Sequence, residues 1–198
     1  MPLRDHFRPP LDDLHSWDEL HGGWPMVMVQ HLVKILPEPY FAAPGVHLGT
    51  IRDVYEVRVY DNRRNRNLVA AIEIVSPSNK DRPGHRAAFV AKVAALLTKG
   101  ICVSVVDVVS TMDFNLYAEL LECIGEVDPA LGDDPPPMCA ATLRTRYEGT
   151  RKMMDTWYHP LAVGQPLPTL PIWLKERLSV PLELEASYEE ACQTLRMR

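Results

Sequence analysis

The stretch VYEVRVYDNRRNRNLVAAIEIV, residues 54–75, decides the fold of this chain. Apolar and polar side chains alternate through residues 54–60, as they do in a half-buried strand. Residues 61–67 are polar and typical of a turn, and residues 68–75 are a second strand. The stretch therefore predicts a β-hairpin.

A helix and a third strand follow the hairpin. Helical spacing runs from about Pro83 to Thr98, and Gly100 is a typical stop. Residues 101–109 are an almost unbroken apolar run, which indicates a strand buried on both faces. Because a helix of this length suits a crossover between parallel strands, we expect strands 68–75 and 101–109 to pair in parallel.

The chain divides into three zones within a single domain. Residues 1–45 form an N-terminal arm and helix, residues 46–127 form the core, and residues 128–198 form a proline-rich C-terminal extension of strands and a helix packed on the core. The predicted fold class is α/β (α+β), with a mixed sheet flanked by helices.

The two outer zones and the end of the core contain further predicted elements. Pro25 suits the first turn of a helix over about 24–36. The other predictions are a helix over about 114–124, one or two strands over about 138–148, a strand near 180–185 and a closing helix from Ser187.

Composition excludes several classes of protein. The 198 residues are 46% hydrophobic and 24% charged, which is ordinary for a globular domain. No apolar run is long enough to span a membrane, and the N-terminus lacks a signal-peptide core, so we expect a cytoplasmic protein without a membrane partner. The net charge of −5 disfavours broad, non-specific coating of nucleic acid.

Familiar catalytic and metal-binding motifs are absent from the sequence. It contains no phosphate-binding glycine loop, no nucleophile elbow and no paired histidines at metal-ligand spacing. The four cysteines lie far apart and are typical of reduced thiols in a cytosolic protein: Cys102, Cys123, Cys139 and Cys192.

The hairpin contains the most informative acidic residues. If it folds about Arg64, opposed residue numbers add to about 128, so Asp53 lies across from Val75 and Tyr55 across from Glu73. Asp53 and Glu73 then share an otherwise apolar face, where a carboxylate needs a partner. A divalent-metal pair is one interpretation. The alternative is that Glu73 caps the following helix or pairs with an arginine.

Two lysines are candidates to accompany these acids. Lys92 is the only central charge of the apolar helix 83–98, so its ammonium either extends into solvent or meets an anion. Lys80 follows Glu73 in a segment that reads as an exposed loop. Asp107, inside strand 101–109, is interpreted as a structural buried acid.

Several segments resemble a known bacterial family. They are the run Ala71-Ile-Glu-Ile-Val-Ser-Pro-Ser-Asn-Lys80, Lys92 and the strand Val103-Ser-Val-Val-Asp107. Together they resemble the domain-of-unknown-function family numbered 4058, and the pattern is similar to that of Uma2-like endonucleases. This resemblance implies the PD-(D/E)xK nuclease fold, in which metal-binding acids lie on a hairpin.

The resemblance also implies roles for individual residues. Glu73 would be the acid of the third core strand. The lysine usually found two residues later is replaced by Val75, so Lys92 or Lys80 would supply that charge. The segment 50–54 is short, so either Asp53 replaces an acid present in longer relatives or the chain lacks one ligand.

Two functions are consistent with these features. One is Mg²⁺-dependent hydrolysis of DNA, with Mn²⁺ as a substitute, in which Asp53 and Glu73 hold the metal and Lys92 steadies water or a developing oxyanion. The other is a catalytically inactive nuclease-fold module for binding or assembly. A homo-oligomer formed through the C-terminal zone, with Trp157 and Trp173 at its contacts, is compatible with both.

Overall fold

The computed structural model describes residues 2–47 and 54–197. Within them the helices are α1 (Trp17–Ile35), α2 (Pro77–Lys80), α3 (Pro83–Thr98), α4 (Leu116–Ile124) and α5 (Leu184–Thr194). The strands are β1 (Tyr40–His47), β2 (Val54–Asp61), β3 (Asn67–Ile74), β4 (Cys102–Asp107), β5 (Cys139–Glu148), β6 (Arg151–Pro160), β7 (Thr169–Lys175) and β8 (Leu178–Glu183).

Six of these strands form one mixed sheet in the order β1-β2-β3-β4-β5-β6. Only the β3–β4 pair is parallel, and α3 is the crossover between them, as predicted. Strands β7 and β8 form a separate antiparallel pair. The predicted mixed α+β class is therefore confirmed, and β5 and β6 continue the main sheet.

The two faces of the sheet support separate apolar clusters. The first cluster joins α1, α5 and the β7–β8 pair to side chains such as Val57 and Ile72. The second joins α3 and α4 to side chains such as Ala71 and Val75. Neighbouring residues of one strand thus enter opposite clusters, as strand geometry requires. The sheet is buried between these two layers.

Helix α1 is longer than the sequence predicted. It begins at Trp17 with Ser16 as its cap, so Pro25 lies inside the helix and not in its first turn. Trp17, Leu20 and Trp24 are buried along one face, and this burial outweighs the hydrogen bond that a proline removes. Tertiary packing therefore decides where α1 begins.

Three strands, β1, β6 and β7, were not assigned from the sequence. Strand β1 contains Pro44 and β7 contains Pro171, and a proline argues against a strand when only the sequence is considered. Strand β1 lies at the edge of the main sheet, and β7 belongs to a two-stranded pair, where a missing donor is tolerated. The positions of these strands in their sheets explain why they tolerate a proline.

The predicted register of the hairpin is wrong over most of its length. Numbers add to 128 only beside the turn, as in the Tyr60–Leu68 pair. An irregularity at Val59/Tyr60 moves the remaining pairs by one residue, so Glu56 and not Tyr55 is opposite Glu73. Because side chains alternate, this shift places Glu56 on the face of Glu73. Asp53, predicted opposite Val75, lies outside the described residues.

Helices α1 and α5 are joined by a buried polar contact. The indole Nε1 of Trp24 donates a 3.0 Å hydrogen bond to Ser187 Oγ, and both side chains are fully buried. The Trp24 ring also meets Tyr188 edge-on, with centroids 5.4 Å apart. This contact satisfies the indole donor inside an apolar layer.

We expect Ser187→Ala to lower the free energy of unfolding by about 1–3 kcal/mol, because it leaves the Trp24 donor buried without an acceptor. Urea denaturation measures the change. The matched control is Ser179→Ala on the exposed side of β8, which should stay within about 0.5 kcal/mol of wild type. Equal effects of the two substitutions would contradict the role assigned to Ser187.

Candidate functional site

Two glutamates and a lysine meet on the α3 side of the sheet, and we call them the glutamate–lysine centre. Glu56 on β2 and Glu73 on β3 are only 1% and 2% exposed. Lys92 Nζ donates hydrogen bonds of 2.6 Å to Glu56 Oε2 and 2.7 Å to Glu73 Oε2. Of the two alternatives for Lys92, the structure therefore shows contact with anions.

A glycine on the neighbouring strand makes room for Glu56. Gly45 on β1 pairs with Glu56, and a Cβ atom added at Gly45 would lie 2.6 Å from Glu56 Cγ and 2.7 Å from its Oε1. Any larger residue would displace the carboxylate that Lys92 contacts. The sequence analysis did not identify Glu56. The role of Gly45 in making room for it follows only from the pairing of β1 with β2.

The two carboxylates differ in their other partners. The guanidinium of Arg58 contacts Glu56 Oε1, so Glu56 lies between two cations. Glu73 Oε1 is buried and has no hydrogen-bond donor within the described residues. Glu56 is thus the more strongly neutralised of the two acids.

Their acidities diverge for the same reason. Burial favours the neutral form of Glu56, but hydrogen bonds with Glu73 and Lys92 and the charges of Lys92 and Arg58 lower its pKa to about 2. Burial raises the pKa of Glu73 to about 7, aided by the negative charge of Glu56 and opposed by Lys92. The centre therefore combines a carboxylate that is ionised at neutral pH with a carboxyl group whose pKa is raised to about 7.

Lys92 is the accessible member of the centre. Its side chain is 30% exposed, whereas the two carboxylates are almost completely covered. Burial alone would lower the pKa of Lys92, but Glu73 and Glu56 raise it, so the ammonium keeps its proton. A ligand approaching the centre from solvent would meet this ammonium first.

Lys80 is placed differently from the sequence expectation. It lies on α2, is fully buried, and donates 2.9 Å hydrogen bonds to Asp107 Oδ2 and to the Pro137 carbonyl oxygen. The exposed-loop interpretation of Lys80 is therefore wrong, because its charge is neutralised inside the protein by Asp107. Asp107 also accepts a hydrogen bond from the Val109 N–H, in keeping with its interpretation as structural.

The sequence left open that Glu73 caps the following helix or pairs with an arginine, and the structure shows neither contact among the described residues. The turn into α2 is capped through Ser76 and Asn79, whose side-chain oxygen accepts a 2.9 Å hydrogen bond from the Ser76 N–H. The charged group that contacts Glu73 is the Lys92 ammonium, whereas the arginine at this site, Arg58, contacts Glu56. Glu73 is thus held by a lysine of the crossover helix.

Trp157 and Trp173 are half-buried and contact each other. Their ring centroids are 5.4 Å apart, and the Arg144 guanidinium lies 3.5 Å from the centre of the Trp173 ring. Part of each ring is therefore used within the chain. Their place at a contact between two copies stays a prediction.

The centre offers two carboxylates to a cation. In residues 2–47 and 54–197, no group of three or more acids, histidines and cysteines is arranged to hold a metal ion. The third predicted acid, Asp53, is outside those residues. The described oxygen donors fit a hard divalent ion, since Mg²⁺ commonly uses one or two protein carboxylates and completes its shell with water and substrate oxygens.

Comparisons with protein-family models, with curated proteins and with solved structures found no match for this chain. Among the described residues, no helix combines the length and apolar character that crossing a membrane requires.

We expect the free energy of unfolding to fall as the pH rises from about 4.5 to 7, because the pKa of Glu73 rises from 4.5 to about 7 on folding. Below this window the Glu73 carboxyl group is protonated in both states. Above it the carboxylate is buried in the native state but solvated in the unfolded state, so the native state is less stable. Replacing Glu73 by Gln removes this titration. In metal-free buffer, urea denaturation at pH 5 and 7.5 should show wild type losing on the order of 1–3 kcal/mol more than the variant. Parallel pH dependences would contradict the assigned titration.

We expect Lys80→Met to lower the free energy of unfolding by about 3–5 kcal/mol, since it leaves the Asp107 carboxylate buried without its cation. The double variant Lys80→Met/Asp107→Leu should recover part of that loss. Arg82→Ala, which removes an exposed ion pair with Asp81, serves as the control and should change stability by less than about 1 kcal/mol. Unchanged urea denaturation of Lys80→Met would rule out the structural role.

Proposed function

We propose that this protein is a divalent-metal-dependent phosphodiesterase of the PD-(D/E)xK type that acts on DNA. The observation that carries the proposal is the convergence of Glu56, Glu73 and Lys92 from two paired strands and the crossover helix. The mixed sheet flanked by helices, with acids on its hairpin, is the arrangement that the family resemblance implies.

The donor set of the centre suits magnesium or manganese. Glu56 and Glu73 would hold the ion, and Glu73 Oε1, which accepts no hydrogen bond from the described residues, would be one of the ligand oxygens. Asp53 stays a predicted additional ligand. When bound, such an ion would neutralise charge on the phosphoryl group and lower the pKa of a coordinated water.

The protein groups have distinct roles in this proposal. Lys92 and Arg58 lower the pKa of Glu56, so its carboxylate is ionised at neutral pH, and a metal ion would have to displace one of these cations to bind it. Glu73 exchanges a proton near neutral pH and contributes its carboxylate once deprotonated. Lys92, the exposed member, would donate hydrogen bonds to a phosphate oxygen as negative charge develops there.

Lys92 also accounts for the departure at position 75. Val75 is completely buried in the apolar cluster under α3. The ammonium arrives instead from α3, through the side chain of Lys92. Of the two lysines suggested by the sequence, Lys92 is the one proposed to act, because the Lys80 ammonium is engaged by Asp107.

A second candidate function is that of an inactive nuclease-fold binding or assembly module. The observation in its favour is that Lys92 and Arg58 already neutralise Glu56 and Glu73. A metal ion would have to compete with the ammonium of Lys92 for the same carboxylates. The two candidates therefore differ in whether the centre binds a divalent ion at all.

We expect purified wild type to cleave plasmid DNA with Mg²⁺ or Mn²⁺ and to bind Mn²⁺ in calorimetry. Glu73→Gln and Glu56→Gln should weaken Mn²⁺ binding and lower the cleavage rate by about 10²-fold or more, because each removes a charged ligand. Glu122→Gln, an exposed acid on α4, is the matched control and should behave as wild type.

Lys92→Met separates the two roles of the ammonium. If Lys92 competes with the ion and also assists the reaction, this variant should bind Mn²⁺ at least as tightly as wild type while cleaving about 10²-fold more slowly. A wild-type protein that neither binds Mn²⁺ nor cleaves DNA would falsify the enzyme proposal and leave the inactive module.

A further inference from the structure

A cleft rich in basic side chains opens beside the glutamate–lysine centre. Its volume is about 750 Å³, and its walls come from the end of α3, the starts of β3 and β4, and the ends of β5 and β7. Five cationic side chains line it, against one carboxylate, that of Glu176: Arg58, Lys99, Arg144, Arg146 and Lys175. We call it the basic cleft. The three arginines form ion pairs with Glu56, Asp155 and Glu148, so the unbalanced positive charge of the cleft comes from its two lysines.

Arg58 connects the basic cleft to the centre. Its guanidinium contacts Glu56, and the same residue lines the cleft. Leu96, one helical turn after Lys92 on α3, also lines the cleft. A ligand lying in the cleft would therefore extend towards the two carboxylates.

Two arginines in the cleft are fixed by their neighbours. Arg144 Nε donates to Asp155 Oδ2 at 2.9 Å, Arg144 Nη1 donates to the Glu176 carbonyl oxygen at 2.8 Å, and its plane lies on Trp173. Arg146 Nε donates to Asp155, and Arg146 Nη1 donates to Glu148 Oε1 at 2.6 Å. Because their charges are largely balanced, these groups provide flat, preorganised surfaces more than net charge.

The two lysines of the cleft are available for an anion. Lys99 and Lys175 are exposed, and neither forms an ion pair within the part of the chain that the structure describes. The Lys175 ammonium lies 5.7 Å from the centre of the Tyr40 ring, a contact that leaves its charge unbalanced. Lysine ammonium groups bind phosphate as mobile point charges.

An exposed aromatic side chain of β5 also lines the cleft. Tyr147 is 65% exposed although it is one of the large apolar side chains of the sheet. Side chains alternate along β5, so Tyr147 lies on the α3 side of the strand and the Trp173–Arg144 stack on the opposite side, and these two flat surfaces line the cleft from its two sides. Aromatic faces and cations that line one groove are the features by which proteins bind single-stranded nucleic acids.

We propose that the basic cleft binds a short single-stranded segment of nucleic acid. Bases stack on Tyr147 and on the Arg144–Trp173 pair, while Lys99 and Lys175 contact phosphates. Bases of an intact duplex are already stacked and paired, so they have no free faces for these side chains. The cleft volume falls in the range of pockets that hold small-molecule ligands and cofactors. The inference rests on the proposed function in one respect only, which is that the bound nucleic acid is the substrate cleaved at the glutamate–lysine centre.

Binding of a fluorescein-labelled twelve-residue oligothymidylate, followed by anisotropy without divalent metal, tests the proposal. We expect Lys99→Glu and Lys175→Glu each to weaken binding about ten-fold or more, and each to reduce the slope of log affinity against log salt by about 0.7. Tyr147→Ala should weaken binding about five-fold or more through lost stacking. Lys34→Glu, which changes another exposed lysine on α1, should bind as wild type does.

Several results would overturn the assignment. These are no binding by wild type, equal loss in Lys34→Glu, a blunt-ended duplex that binds as tightly as the single strand, or adenosine monophosphate that competes as well as an unlabelled oligonucleotide. The last result would define a mononucleotide site instead. Glu122→Gln should retain oligonucleotide binding, because Glu122 is an exposed acid on α4 outside the cleft.

The same variants separate this inference from the proposed function. If oligonucleotide binding depends on the cleft residues but wild type does not cleave DNA, binding in the basic cleft is supported and the phosphodiesterase proposal is rejected. Cleavage that depends on Glu73 but is unchanged in Lys99→Glu and Lys175→Glu would support the enzyme and reject the cleft.

Discussion

The ammonium of Lys92 is the interaction on which the centre of this protein depends. Two carboxylates on adjacent strands, each almost fully buried, would repel each other strongly without a cation between them. Lys92 contacts both, and Arg58 further stabilises Glu56. The proton that Glu73 takes up near neutral pH relieves the remaining repulsion. Structure and candidate chemistry therefore rest on the same contacts.

The Lys80–Asp107 ion pair and the glutamate–lysine centre differ in their exposure to solvent. Lys80 and Asp107 are both fully covered, and their pair ties α2 to the segment before β5 through the Pro137 carbonyl. Lys92 remains partly exposed and lies beside a cleft with basic and aromatic walls. A covered pair contributes to the fold, whereas a partly exposed pair next to a cleft has the accessibility that a functional site requires.

The sequence alone predicted much of the fold correctly. The bounds of α3, the strands of the hairpin and the parallel pairing of β3 with β4 follow from apolar periodicity and from the length of the crossover. Glu73 and Lys92 also stood out, because a charge amid apolar neighbours is costly and needs a partner. These signals are local, so a single chain displays them without knowledge of its folded state.

Tertiary structure decided which charges meet. The irregularity at Val59/Tyr60 exchanges Tyr55 for Glu56 opposite Glu73, and one residue of shift reverses the face of every side chain beyond it. The burial of Lys80 against Asp107 and the space above Gly45 also arise from segments distant in the chain. Periodicity along the sequence determines which residues form strands and helices. The register between strands and the partner of each buried charge depend on packing in three dimensions, and no local pattern encodes them.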